Sequence, residues 1–130
     1  MLSVIEECGT QEVRQFDAVA HFTRTLNERM APLIRVMEQT ASTDPALQEL
    51  RTRQIGAIRA NCAVVVGKFW RTALRPGLSA DQAADAMAMM LSAHVYSMLT
   101  VDLGWSPDRY EQWIAHALAH LFLRPELLRE

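Results

Sequence analysis

Apolar residues recur at steps of three and four along most of this chain, which is the spacing of one face of an α-helix. The first such stripe runs from Val13 to Met30. Pro32 disfavours helical geometry at Ala31 and cannot donate a backbone hydrogen bond, but it suits the first turn of a new helix. The pattern therefore predicts a break at Pro32, with a short second helix that runs to Thr40 and links two longer ones.

A third, long helix is predicted to begin at Asp44 and Pro45, because an aspartate can accept hydrogen bonds from the first free amides and a proline suits the first turn. Its apolar stripe continues to the Arg-Pro-Gly sequence at residues 75–77, about 30 residues or roughly 45 Å away. Gly56 and Gly67 inside it indicate the close approach of another helix, a bend, or no constraint at all. This helix is predicted to be the spine of the domain.

The fourth predicted helix, residues 79–103, is apolar on almost every side. Ser79 and Gln82 match the pattern of a capping box, in which the side chain of each residue bonds the backbone amide of the other. A chain of 130 residues can seldom surround one helix completely. Part of this helix is therefore predicted to contact a second chain, which favours a dimer.

The last predicted helix, residues 106–123, has the most specific start signal in the chain. Ser106 can cap the helix, Pro107 suits its first turn, and Trp105 is placed to pack against Tyr110 as a hydrophobic staple. A tight turn joins this helix to the preceding one. Two adjacent apolar helices would form an antiparallel hairpin, and two such hairpins would make a four-helix interface between two copies.

The composition supports a single helical domain over residues 1–130, because the chain is 50% hydrophobic and 22% charged and contains only five Gly and five Pro. A formal net charge of -2 gives no positive surplus for holding phosphates, so we expect no direct nucleic-acid binding by this chain. Cys8 and Cys62 have unrelated contexts and are expected to be reduced. The acidic start and the lack of a long apolar run predict a cytoplasmic protein with no membrane segment.

Two stretches of the sequence resemble the regulatory part of TetR-type transcriptional repressors. The first is the apolar helix and turn from Leu78 to Leu123, with LGWSPDRYEQW and the closing ALAHLFL. The second is NERMAPLIRVMEQTASTDPAL, from Asn27 to Leu47, which is similar to the helix connection in the regulatory core of many such proteins. The resemblance covers nearly the whole chain through loose patterns of Trp, Pro and apolar spacing.

The resemblance implies an all-α bundle of about five helices that binds a small, mostly apolar inducer and forms a homodimer through its last two helices. In such proteins, ligand binding controls the operator affinity of a helix-turn-helix domain. No basic three-helix domain of that kind is found in this sequence, so DNA binding is expected only through a domain outside this chain. A separately expressed regulatory domain and a natural stand-alone product are both open interpretations.

Candidate side chains for the inducer and for the dimer follow from these patterns and from the resemblance. The ligand candidates are flexible methionines, one histidine and two polar residues beside the apolar stripe of the third helix: Met30, Met37, Gln54, Asn61, Met90 and His94. The dimer candidates lie on the last two helices: Met87, Leu91, Met98, Trp113, Ala117 and His120. Core packing of the methionines and simple solvent exposure of Gln54 and Asn61 stay open as alternatives.

We expect neither a metal site nor an active site. His116 and His120 have the i, i+4 spacing seen in zinc sites, but no nearby acid or cysteine in the sequence completes a ligand set, so a polar rim of the dimer is preferred. The sequence contains no nucleophile, phosphate-binding or dinucleotide-binding motif, so no enzyme activity and no cofactor are expected. The alternative function is a ligand-free helical module that recruits a different protein through its apolar hairpin.

Overall fold

Helices connected by short turns make up the fold. The computed structural model describes residues 1–7, 9, 11–41 and 43–128, and it contains no β-strand within these ranges. The α-helices are α1 (Leu2–Glu6), α2 (Glu12–Ala41), α3 (Pro45–Val65), α4 (Ala80–Met90), α5 (Ala93–Ser97) and α6 (Pro107–Phe122). Wider π-helical turns follow α3 at Val66–Trp70 and α5 at Met98–Asp102, and a 3-10 turn spans Pro125–Leu128. The predicted all-α class is confirmed.

The predicted break at Pro32 is wrong, because α2 runs without interruption from Glu12 to Ala41. A proline inside a helix removes one backbone hydrogen bond and costs about 3 kcal/mol. Contacts before and after Pro32 hold α2 in place: Asn27 bonds the backbone of Leu91, and Glu38 contacts His94. Tertiary packing therefore overrides the local preference.

The start of α3 is as predicted, since the Asp44 carboxylate accepts a hydrogen bond from the Ala46 amide at 2.9 Å. The regular helix ends at Val65, earlier than predicted, and continues as the π-helical turn Val66–Trp70. A Cβ at Gly56 or Gly67 would meet no described atom within 4 Å, so neither glycine serves the close approach of another helix.

The single helix predicted over residues 79–103 is divided into α4, α5 and the following π-helical turn. The capping box at Ser79 and Gln82 is confirmed, with bonds of 3.1 and 3.0 Å. The division falls at Ser92, whose hydroxyl oxygen accepts a hydrogen bond from the Val95 amide and caps α5. A serine offers this alternative to helix continuation, and the sequence pattern did not reveal it.

Side chains from two other helices satisfy the backbone at this division. Asn27 of α2 donates its amide hydrogen to the Leu91 carbonyl at 3.2 Å, and the Tyr110 hydroxyl of α6 donates to the Met90 carbonyl at 3.4 Å. Both donors are buried. Burial raises the pKa of the Tyr110 hydroxyl above its usual value, and it therefore stays a hydrogen-bond donor at neutral pH.

We expect Asn27→Ala to lower the free energy of unfolding by about 1–3 kcal/mol, because the Leu91 carbonyl loses its partner inside the protein. Urea denaturation followed by circular dichroism measures this loss. Thr25→Ala is the matched control, since the exposed Thr25 hydroxyl bonds only within its own helix. Equal denaturation midpoints for Asn27→Ala and the native chain would contradict the expectation.

The core is built where α2 packs against α6 and the end of α3. Trp70 is fully buried, stacks on Phe16 with ring centroids 4.3 Å apart, and donates its indole hydrogen to Gln15 Oε1 at 2.8 Å. An antiparallel bridge between Leu74 and Leu123 fastens the end of α6 beside it. The elements that frame this core leave His94 of α5 and one side of α6 exposed.

The start of α6 is confirmed in part. The Ser106 hydroxyl accepts a hydrogen bond from the Arg109 amide at 3.1 Å, and Pro107 occupies the first turn. Trp105 packs edge-on against Trp113 at 5.8 Å instead of forming the predicted staple, while Tyr110 is buried against another tyrosine. Among the described residues, no helix has both the length and the apolar character needed to cross a bilayer.

Candidate ligand cleft and dimer face

A solvent-open cleft of about 280 Å³ lies between the second half of α2 and α5 with its π-helical turn. Seven residues line it: Arg35, Glu38, Gln39, His94, Ser97, Met98 and Asp102. All of them except Met98 are polar or charged. The helix that supplies the first three of these was predicted to break, and therefore the cleft could not be found from the sequence.

Charged pairs surround the cleft. His94 Nδ1 lies 3.2 Å from Glu38 Oε2, and it must donate because a carboxylate only accepts. Arg51 approaches the other oxygen of Glu38 at 3.7 Å, and Arg35 lies 3.8 Å from Asp102. The last two distances are longer than a hydrogen bond, so the guanidinium groups keep donors for another partner.

Ser97 lines the cleft with a buried hydroxyl that lacks a hydrogen-bond partner among the described residues. The residue is 4% exposed. A buried hydroxyl without a partner costs free energy, so a polar ligand or a water that reaches it would be favoured.

Ser97→Ala is expected to raise the free energy of unfolding by up to about 1 kcal/mol, because it removes the unpaired hydroxyl. Thr100→Val is the contrasting variant, since the Thr100 hydroxyl donates to the Tyr96 carbonyl at 2.8 Å and its removal should lower the same quantity. Thermal denaturation of both variants measures the difference. A destabilised Ser97→Ala protein would refute this account.

The six predicted ligand residues are not brought together. His94 lines the cleft, whereas Asn61 lines a second open cavity of about 320 Å³ beside α1. Met90 is buried in the core, and Met30, Met37 and Gln54 are half-buried on α2 and α3. The cleft that does form is charged, which differs from the mostly apolar site expected from the methionines.

The predicted dimer residues fall into two groups. Met87 and Leu91 are buried in the single chain, where their side chains belong to the core, and their place in an interface stays a prediction. Met98 is exposed at the cleft, where it is one of the lining residues. Trp113 and His120 are exposed on α6, whereas Ala117 is half-buried and packs against the core.

The buried and the exposed sides of α6 carry different residues. The inner face is buried and consists of Tyr110, Ile114, Leu118 and Phe122. The stripe beside it, called the outer face of α6 below, consists of the exposed Trp113, His116, His120 and Leu121 and of Ala117, which is partly buried against the core. Trp113 is 36% exposed and Leu121 is 53% exposed. Residues 112–123 contain no Asp, Glu, Lys or Arg, so the outer face carries no formal charge when its histidines are neutral.

Comparison of the chain with protein-family models, curated proteins and solved structures gives no match. The cleft and the outer face of α6 are therefore the structural features that bear on function.

The outer face of α6 contains a pair of histidines in direct contact. The rings of His116 and His120 stack with their centroids 3.8 Å apart and their planes at 28°. His120 Nδ1 lies 2.9 Å from the His116 carbonyl oxygen. Within one chain, the described residues form no group of three or more side chains that could hold a metal ion.

Cys62 is a buried free thiol on α3, whereas Cys8 lies outside the described residues. Burial raises the pKa of Cys62 to about 11, so roughly 0.1% of it is thiolate at pH 8. In a Cys8→Ser background, we expect Cys62 to react with a disulfide reagent at least about 100-fold more slowly in the folded protein than in urea. Equal rates in the two conditions would contradict its burial.

Proposed function

We propose that this chain is the regulatory core of a TetR-type transcriptional regulator, in which the outer face of α6 joins two copies and the cleft beside α5 accepts a small effector. The observation that carries the proposal is the outer face itself. It carries no Asp, Glu, Lys or Arg over residues 112–123, and its Trp113 and Leu121 stay exposed although the inner face already completes the core. A two-fold interface pairs one patch with itself, so a patch without charge avoids self-repulsion.

The cleft gives the effector a chemical class. Because its lining offers Arg35 as a donor and Glu38 and Asp102 as acceptors, it suits a small polar molecule better than an apolar one. This replaces the mostly apolar inducer expected from the sequence. The unpaired Ser97 hydroxyl adds a further polar group for such a molecule.

A short structural path connects the cleft to the outer face. The π-helical turn Met98–Asp102 supplies two of the cleft residues and leads to Trp105, whose backbone amide donates to the Leu99 carbonyl at 2.9 Å. Trp105 packs edge-on against Trp113 of the outer face. A ligand that shifts this turn would therefore change the surface on which two copies meet, and through it the operator affinity of an attached helix-turn-helix domain.

The test is the oligomeric state in sedimentation velocity at micromolar concentration. The native chain is expected to sediment as a dimer of two 14.7 kDa subunits. The double substitution Trp113→Glu and Leu121→Glu should raise the dissociation constant at least about 100-fold, because two apolar anchors become charges that meet their own copies.

The matched control is Leu50→Glu, which places the same charge on an exposed leucine of α3. It should leave the dimer intact, and circular dichroism should show that every variant keeps its helical content. A monomeric native chain would overturn the proposal, as would equal dissociation by the control and the double variant.

The ligand-free interaction module remains a second candidate function. It is favoured by the two open cavities, neither of which unites the predicted ligand residues. Native mass spectrometry of freshly purified protein separates the two functions, since it reports both the subunit number and any retained small molecule. A dimer with a discrete adduct that Ser97→Val weakens would favour the regulatory core. A monomer that binds no small molecule would favour the module.

A further inference from the structure

We propose that His116 and His120 of two copies together form a four-imidazole site for a zinc ion on the outer face of α6. The inference rests on the proposed dimer face and adds a ligand to it. One chain supplies only two ligands here, and for this reason no metal site was expected from the sequence. Pairing of the same face in a second copy doubles that number.

The spacing of the two rings fits a tetrahedral metal. Zinc binds imidazole nitrogens at about 2.0–2.1 Å, so two nitrogens of one tetrahedral site lie roughly 3.3 Å apart. The ring centroids of His116 and His120 are 3.8 Å apart on one side of one helix. Two rings at this separation are close enough to contribute nitrogens to one shared ion.

The hydrogen bond of His120 leaves the correct nitrogen free. A carbonyl oxygen can only accept, so Nδ1 of His120 carries the proton that bonds the His116 carbonyl at 2.9 Å. In the neutral ring, Nε2 then keeps its lone pair. Metal-binding histidines commonly have their second nitrogen fixed by a carbonyl or carboxylate in this way, which sets the tautomer and the ring orientation.

A second copy is the partner that completes the site. Zinc takes four ligands in structural sites, and one chain offers two on this face. A two-fold axis that passes between the paired helices near Ala117 would bring the four imidazoles together. Trp113 and Leu121 then lie on either side of the ion and shield it from water, because they border the histidine pair on the same face.

The remaining described histidines lack this arrangement. His21 bonds Glu111 at 2.9 Å and His94 bonds Glu38 at 3.2 Å, each on a different helix and each without a second imidazole at helical spacing. His21 is exposed, and its replacement removes one imidazole without touching the outer face of α6. It is therefore the matched control for His120.

The experiment uses protein without a polyhistidine tag, with zinc chloride as the probe. Isothermal titration calorimetry at about pH 7.5 should give one zinc per two chains, and sedimentation velocity should show a dissociation constant lowered at least about 10-fold. His120→Gln should abolish both effects, whereas His21→Gln should keep both.

The outcomes separate this site from the metal-free dimer. A chain that is dimeric without zinc and unaffected by it would overturn the zinc site and leave the proposed dimer standing. A monomer that dimerises only with zinc would support the site and overturn the metal-free dimer. One zinc per chain with no change in sedimentation, or an equal loss in His21→Gln, would overturn the four-imidazole arrangement.

Discussion

Replacement of Trp70 by alanine is expected to lower the free energy of unfolding by about 3–5 kcal/mol, the usual cost of truncating a large buried aromatic side chain. Trp70 is fully buried and stacks on Phe16, and it also donates a hydrogen bond to the buried Gln15. The substitution therefore leaves a cavity and an unpaired polar group together. The expected loss is a large fraction of the total free energy of unfolding, which is only about 5–15 kcal/mol in small domains.

Urea denaturation of Trp70→Ala measures the loss, and Trp113→Ala is the matched control. Trp113 is partly exposed on α6, so its truncation should cost much less stability while weakening the proposed dimer. Trp70→Phe divides the effect, since it keeps the aromatic stack but removes the indole donor, at an expected cost of about 1–3 kcal/mol. The packing account would be wrong if Trp70→Ala and Trp113→Ala lost the same stability.

Met87→Glu is expected to prevent folding, whereas Met89→Glu is expected to change stability by no more than about 0.5 kcal/mol. The two methionines are two positions apart on α4, but Met87 is 0% exposed and Met89 is 57% exposed. A carboxylate at residue 87 would be buried among apolar side chains with no partner. The expected destabilisation is at least about 4 kcal/mol.

Far-ultraviolet circular dichroism and thermal denaturation of both variants test this contrast. Met87→Ala provides a graded version that should fold with a loss of about 2–5 kcal/mol. The interface predicted from the sequence included Met87. If Met87 lay at that interface, Met87→Glu would leave the fold intact and disrupt the dimer. If Met87→Glu remained folded and became monomeric, that earlier interface would be correct and the core described here would not.

The helix starts could be predicted from the sequence because they depend on neighbouring residues. Asp44, Ser79 and Ser106 each bond an amide no more than three residues away, so the signal and its effect lie in the same short segment. A capping residue is thus visible without knowledge of the fold. The all-α class follows from the same local signals and from the helical spacing of apolar residues.

The parts that could not be predicted depend on contacts between distant residues. Pro32 is held within α2 by packing on both sides, and the division at Ser92 is completed by Asn27 and Tyr110. Neither partner can be inferred from the local pattern. A helix that is apolar on all sides also has no periodic signal, so nothing in the sequence distinguished the buried Met87 from its exposed neighbours.

The candidate surfaces were found only partly for the same reason. His94 was predicted to be a ligand residue, and it lines the cleft. Arg35 and Glu38, which line the cleft with it, were not predicted, because a break in α2 was expected just before them. On α6, the spacing placed Trp113, Ala117 and His120 on one helix, and their place in an interface stays a prediction. The exposure of Trp113 and His120 beside a buried inner face became clear only from the packing of α6 against α2.

The pairing of α2 with α6 also affects how the chain must be made. Arg24 of α2 contacts Asp108 of α6, and 84 positions separate the two residues. A ribosome that adds about 5–20 residues per second therefore leaves the apolar side of α2 uncovered for roughly 5 to 15 seconds before α6 has been synthesised. Phe16 and Val19, which are fully buried in the folded chain, therefore reach their final surroundings only after α6 has been made.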